Sequence, residues 1–228
     1  IVLSVIIPTL NESAEIDKFI ANLLDQRVNS PWELIIADGG STDSTAAIIK
    51  KWRNDSKVPI SMSLSRMGRA VQMNSGAQMA QGENLLFLHC DSRFADVLLI
   101  QKAIDHMLQA RTFSGTYKIA GHYSLKFMRE SLGYSLLYYY FETKTQKNYP
   151  ETINGDQGFY ISKSFFNEIG GFDEKLDYLE DTRLAKQIAV KGRWLFLPGL
   201  IYTSARRFES EGFLKRQLLN TLLRVFNE

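Results

Sequence analysis

Through the first half of the chain, apolar β-branched runs alternate with helical patterns. Val2 to Ile7, Glu33 to Ala37, Ile60 to Leu64 and Asn84 to His89 read as strands, short and bounded by turn residues. Between the first two, Ile16, Phe19, Ile20, Leu23 and Leu24 recur at helical spacing after the capping-type Asn11-Glu12-Ser13, the mark of an amphipathic helix lying on a sheet. A second helix is predicted to start at Ser41-Thr42-Asp43 and to turn Ile48, Ile49 and Trp52 inward. A third follows Gly68, and a fourth runs from about Asp96 to Leu108. This βαβ rhythm predicts an α/β fold, a mainly parallel sheet with helices on both faces.

The second half loses the rhythm. An aromatic-rich helical stretch through Tyr138-Tyr139-Tyr140 is followed by Gly155-Asp156-Gln157-Gly158, Gly170-Gly171-Phe172 and a helix after Leu179. No internal repeat or low-complexity linker separates the halves. The reading is therefore one domain over 1–228, with functional halves of about 1–112 and 113–228. Near the end, Leu214, Leu218, Leu222 and Val225 share one helical face of the stretch Phe213 to Phe226, which either docks on the core or makes peripheral membrane contact.

Composition removes several function classes. With 45% hydrophobic and 23% charged residues the chain can bury a full core. A net charge of +2 and the lack of any Lys/Arg block argue against nucleic acid as a partner. The single cysteine, Cys90, excludes an intrachain disulfide and a Cys-based zinc site, reads as core, and fits a reducing, cytoplasmic location. No apolar stretch approaches the roughly 18 residues of a membrane span. The chain opens at Ile1, inside a strand-like run and without a methionine, as a chain missing a short leader would. There is no Gly-x-Gly-x-x-Gly after the first strand and no Gly-x-x-x-x-Gly-Lys, which sets aside Rossmann dehydrogenases and P-loop kinases.

In an open parallel sheet ligands bind beyond the carboxyl ends of the strands. Three segments sit there: Pro8-Thr9-Leu10-Asn11-Glu12, Asp38-Gly39-Gly40-Ser41 and Asp91. Asp38 with two glycines suits either a nucleoside or a plain loop cap. His89 and Asp91, two apart, would share one face if the strand stayed extended, and a carboxylate beside an imidazole suits Mn²⁺ or Mg²⁺ carrying a diphosphate. Arg66, Gly68, Arg69, Gln72 and Asn74 form a polar cluster suited to clamping a diphosphate or a base, or to facing solvent. Glu180-Asp181 opens a helix, where carboxylates serve as caps or as a catalytic base, and Asp156 is the competing base.

Taken together, Ser4 to Glu12, Glu33 to Asp43, Gly155-Asp156-Gln157-Gly158, Gly170-Gly171-Phe172 and Leu179-Glu180-Asp181 resemble glycosyltransferase family 2, inverting enzymes of the GT-A fold. The resemblance implies a nucleotide-diphospho-sugar donor, a divalent metal (Mn²⁺ or Mg²⁺) at Asp91 with His89, and Asp181 as base beside Glu180. Pro8, Thr9, Glu12, Asp38, Gly40, Arg66, Arg69 and Asn74 would bind the donor, with Gly155, Asp156 and Gln157 on the acceptor side. The acceptor would be a glycan, a lipid-linked molecule or a small molecule. Two departures mark the chain: the family's common Asp-Asp-Gly-Ser reads Asp38-Gly39-Gly40-Ser41, and the first Asp of its DxD is His89. Both look like a small stand-alone bacterial subgroup with Gly-Gly-Ser-Thr-Asp and His-x-Asp motifs. Only Arg206-Arg207-Phe208 stands near the Gln-x-x-Arg-Trp place of processive synthases, so a non-processive enzyme is expected. A non-catalytic nucleotide- or glycan-binding module with a degenerate metal site is the alternative.

Overall fold

The computed structural model describes residues 2–129, 135–147, 149–205 and 209. The four apolar runs of the first half become parallel strands: β1 (Leu3–Thr9), β2 (Trp32–Asp38), β3 (Ile60–Leu64) and β4 (Asn84–Phe87). Side-chain alternation along β1 feeds two cores. Val5 and Ile7 join one with Phe19, Ile20 and Leu23 of α1 (Ile16–Leu24), Ile49 of α2 (Thr45–Asp55) and Ile100 and Ala103 of α4 (Leu99–Ser114). Ile6 joins the other with Ala70, Met73 and Ala77 of α3 (Arg69–Met79), reaching Leu184 and Ile188 of α7 (Glu180–Lys191). A Cβ on Gly76 would lie 2.5 Å from Ile6 Cγ2, so α3 can approach β1 only with a glycine there.

Every residue of β2 is buried, including Glu33. Its Oε1 accepts from Ser4 Oγ at 2.6 Å and from Gln81 N at 2.7 Å, which satisfies the buried carboxylate and ties β1, β2 and the α3–β4 turn together.

Beyond β4 the sheet continues through strands that periodicity did not reveal. They are β5 (Arg93–Phe94), β6 (Ile119–Met128), β7 (Phe159–Ser162) and β8 (Arg193–Ser204), and the full order is β3-β2-β1-β4-β7-β6-β8-β5. β7 runs antiparallel to both β4 and β6, whereas β6 and β8 are parallel. The remaining helices are α5 (Ser135–Lys144) and α6 (Lys163–Ile169). The antiparallel β4–β7 seam positions the site, because chain leaving β4 meets chain about to enter β7.

Three predicted boundaries move. α2 starts at Thr45 rather than at Ser41, because the Asp43 carboxylate accepts from Thr45 N at 2.9 Å and Ser41 and Thr42 serve the neighbouring loop. α4 starts at Leu99, after the Asp96 carboxylate has bonded Leu98 N. β4 ends at Phe87, two residues before His89. The amphipathic stretch Phe213 to Phe226 and Arg206-Arg207-Phe208 lie outside the described residues.

Candidate functional site

The loops after β1 and β2 are laced into one surface. Asn11 takes φ +55°, a left-handed conformation that Asn tolerates. Its Oδ1 accepts from Thr42 N at 2.8 Å while its own N–H donates to Ser41 Oγ at 2.9 Å. Glu12 N–H donates to Thr45 Oγ1 and Ser13 N–H to Asp43 Oδ2. The Thr45 hydroxyl, with the Thr45 and Ser13 backbone amides, holds the Asp43 carboxyl well below its usual range.

Beside these loops lies a cavity of about 320 Å³, lined by Pro8, Thr9, Glu12 and Gln72 and, across from the strand ends, by Arg69, His89, Asp91 and Asp156. Leu10, Met67, Gly68, Cys90, Phe127 and Ser204 complete its wall. Phe127 and Ser204 come from β6 and β8 and carry no motif, so nothing in the sequence announced them.

Arg69 opens α3 and is the charged centre of the site. Burial works against its charge, but Glu180, Asp156, Asp181 and Asp91 outweigh that and hold the guanidinium firmly protonated. Its Nη1 lies 3.5 Å from Glu180 Oε1, an ion pair without hydrogen-bond geometry. The Glu180 carboxyl is pushed above its ordinary value by burial and by Asp181, with Arg69 opposing. Leu179, at φ +64°, is the strained residue that aims Glu180 and Asp181 from the first turn of α7. Asp181 Oδ2 accepts from Gly155 N at 2.7 Å, and Oδ1 accepts from Thr182 N at 2.6 Å.

His89 Nδ1 sits 2.7 Å from Asp156 Oδ1. On the other side of its ring, a Cβ at Gly155 would fall 2.8 Å from Nε2, so only glycine lets the imidazole lie there. The expectation that His89 and Asp91 share a strand face does not hold. The chain has left β4 and turns, with Ser92 N–H bonded to His89 O, and both residues line the cavity by way of that turn. Cys90 between them is buried in the core as expected, and burial pushes its thiol far up.

Several residues expected at the site have partners within the protein framework. Asp38 is buried and spent within its own surroundings: its carboxylate accepts from Gly40 N, Ser41 N, Ser41 Oγ and Thr9 Oγ1. Gly40, at φ +92°, makes that turn possible. Asn74 faces the Gly170-Gly171-Phe172 corner, donating to Phe172 O at 2.9 Å and accepting from Phe172 N at 3.0 Å. Arg66 lies on the surface in an ion pair with Glu174. Gln157 is fully buried, its Nε2 shared among His122 Nδ1, Tyr123 O and Thr145 O, so it anchors the Gly155–Gly158 loop from beneath.

A family model described as glycosyl transferase family 2 matches residues 4–170. The chain belongs to that family. Among curated relatives of this family-2 chain, chondroitin synthase of Pasteurella multocida is 26% identical over 83% of this chain and 23% of its own length. Staphylococcus aureus TarS (1–349) in complex with UDP superposes with a TM-score of 0.68 at 20% identity, over 90% of this chain and 60% of that one. A mannosyltransferase of Pyrobaculum calidifontis in complex with GDP-Man and Mn²⁺ gives 0.64 at 17%, over 88% and 56%. The fold is that of the GT-A glycosyltransferases, as the sequence resemblance implied. The chain spans less than half the length of the curated relatives it matches.

For a divalent ion this family-2 site offers a limited donor set. Among the described residues no group of three His, Cys, Asp or Glu side chains comes together as a metal cluster. Asp91 supplies a hard carboxylate on the cavity wall, which fits an ion held mainly by a diphosphate. His89 has one nitrogen committed to Asp156 and the other packed over Gly155. Among the described residues no helix is long and apolar enough to cross a membrane.

Proposed function

We propose that this chain is an inverting, non-processive glycosyltransferase that moves a sugar from a nucleotide-diphospho-sugar to the hydroxyl of a glycan, lipid-linked or small-molecule acceptor. The observation that carries the reading is Arg69 on the wall of a strand-end cavity, held in its charged form by the carboxylates of Glu180, Asp156, Asp181 and Asp91. A transfer between a diphosphate leaving group and a neutral hydroxyl needs both signs of charge: a cation for the phosphates and a carboxylate for the proton.

In the proposed step the acceptor oxygen attacks the anomeric carbon as the bond to the nucleoside diphosphate breaks on the opposite face, and Asp181 takes the hydroxyl proton. Arg69 binds the diphosphate, and Glu180 holds Arg69 in place. Asp181 is preferred to Asp156 because Asp156 Oδ1 is engaged by His89, while Asp181 is steadied by Gly155 N on Oδ2 and by Thr182 N and Oγ1 on Oδ1, which leaves Oδ2 with a single donor. Asp91 would hold Mn²⁺ or Mg²⁺ together with phosphate oxygens. A bound ion would neutralise charge growing on the leaving diphosphate. The lone buried thiol favours a cytoplasmic location.

The test is transfer from a panel of nucleotide sugars, read as nucleoside diphosphate release and as the anomeric configuration of the product by NMR. Asp181→Asn is expected to lose about 10²–10⁴-fold in rate, the usual worth of a general base. A variant that keeps near-full transfer would refute the assignment.

A further inference from the structure

Gln72 does two things with one amide. It lies on the first turn of α3, is buried, and donates from Nε2 to Thr9 O at 2.6 Å and Ala37 O at 2.9 Å. Those carbonyls sit at the carboxyl ends of the adjacent strands β1 and β2. Because both partners are acceptors, the NH₂ must face them and Oε1 must face away. Oε1 has no hydrogen-bond partner among the described residues, and the side chain lines the cavity.

Gly39 explains how the amide gets there. A Cβ at 39 would stand 3.0 Å from Gln72 Cδ and 3.1 Å from both Nε2 and Oε1. Gly39 is not among the residues with positive φ, so it is the neighbouring amide, not the backbone, that calls for a glycine. This is also the position where the family's common motif has its second aspartate. Gln72 thus fills the space that a side chain at 39 would occupy. Asp38, next to it, has both oxygens taken up by Thr9 and its own turn. Arg69, three residues earlier on the same helix face, brings the positive charge.

We infer that Gln72 Oε1 is the nucleobase reader of the donor site, selecting bases that carry a ring N–H beside a carbonyl: uracil, thymine or guanine. The inference rests on the cavity being a nucleotide-sugar site. A ring N–H donates to the amide oxygen while Arg69 takes the diphosphate at the other end of the same ligand. Cytosine presents a lone pair at the equivalent ring nitrogen, so two acceptors would face each other in a desolvated place. A site built around one hydrogen bond rejects the analogue that cannot make it.

Isothermal titration calorimetry with UDP, dTDP, GDP and CDP, and with N3-methyl-UDP and N1-methyl-GDP, tests this on the intact protein. At least one of UDP, dTDP or GDP is expected to bind about tenfold or more tightly than CDP, and methylation of its ring nitrogen should remove that advantage. Gln72→Met should bring the preferred nucleotide and CDP within about threefold. The double variant Gly39→Asp with Gln72→Ala, which supplies an acceptor from the loop after β2 in place of the one on α3, should recover the preference. Should the methionine variant fail to fold, the methylated nucleotides decide the matter on the wild-type chain. Nucleotide binding with no loss on ring-nitrogen methylation overturns the role of Gln72 alone. Binding of no nucleotide overturns the donor-site reading and this inference with it.

Discussion

Asn74 offers a sharp test because its place in the sequence suggested a donor ligand and the structure gives it a different partner. Its carboxamide makes a two-way clamp on the backbone of Phe172 and a third bond to Glu174. Gly171, at φ +70°, lets that corner come close, since a Cβ there would lie 2.8 Å from Asn74 Oδ1. Asn74→Ala leaves the N–H and C=O of the buried Phe172 without partners. Each lost bond is worth about 0.5–1.5 kcal/mol, and the unsatisfied groups push the total toward about 2–3 kcal/mol. The Glu174 bond is exposed and adds little. For a 228-residue chain, at about 2–4 °C per kcal/mol, Tm should fall by roughly 4–12 °C. Calorimetry gives Tm, and nucleotide titration below the transition gives affinity, which should change little. An unchanged Tm with donor affinity weakened tenfold would refute the clamp and restore Asn74 as a ligand.

Three further outcomes follow from buried groups. Glu180 has its carboxyl raised above the ordinary 4.5 by burial and Asp181, so the unfolded chain ionises first as pH climbs and the native state loses stability from there upward. Glu180→Gln should therefore raise Tm relative to wild type at pH 7, the gain vanishing below about pH 4, and a gain that ignores pH would contradict this. Gly82→Ala would put a Cβ 2.6 Å from Ser4 N and 2.8 Å from Leu3 C, backbone atoms that cannot rotate away. It should cost about 1–3 kcal/mol in urea unfolding, and a shift below about 0.5 would count against the contact. Cys90, buried and with its thiol pushed up by that burial, should ignore a disulfide reagent at pH 8 in the native protein and react at once in denaturant. Native reactivity on the denatured timescale would show the burial to be wrong.

The first half of the fold was legible because β1, β2 and β4 are buried runs and α1 carries its stripe at helical spacing. The second half was not. β7 is four residues long, and β8 shifts register against β6 near Gly199, so its pattern is interrupted where period two would have shown it. Of the site, Arg69, Asp91, His89, Asp156 and the Glu180-Asp181 pair were read from strand ends and motifs, and the structure brings them together. Asp38 and Asn74, expected on the donor side, and Gln157, expected on the acceptor side, also hold loops together, because polar motif residues look alike in sequence whether they face a ligand or hold a loop. Only their hydrogen-bond partners separate the two.

The β4–β7 seam also bears on how the chain can be cut. β4 has β1 on one flank and β7 on the other. A fragment ending near residue 112 would keep the β1 and β2 side of the cavity but lose Asp156 and Asp181. It would also expose one row of N–H and C=O groups along Leu85, Leu86 and Phe87, an apolar edge of the kind that recruits other strands and aggregates. The seam that brings His89 to Asp156 thus also covers the apolar edge of β4, and a split reporter or truncation built between the halves would lose both together.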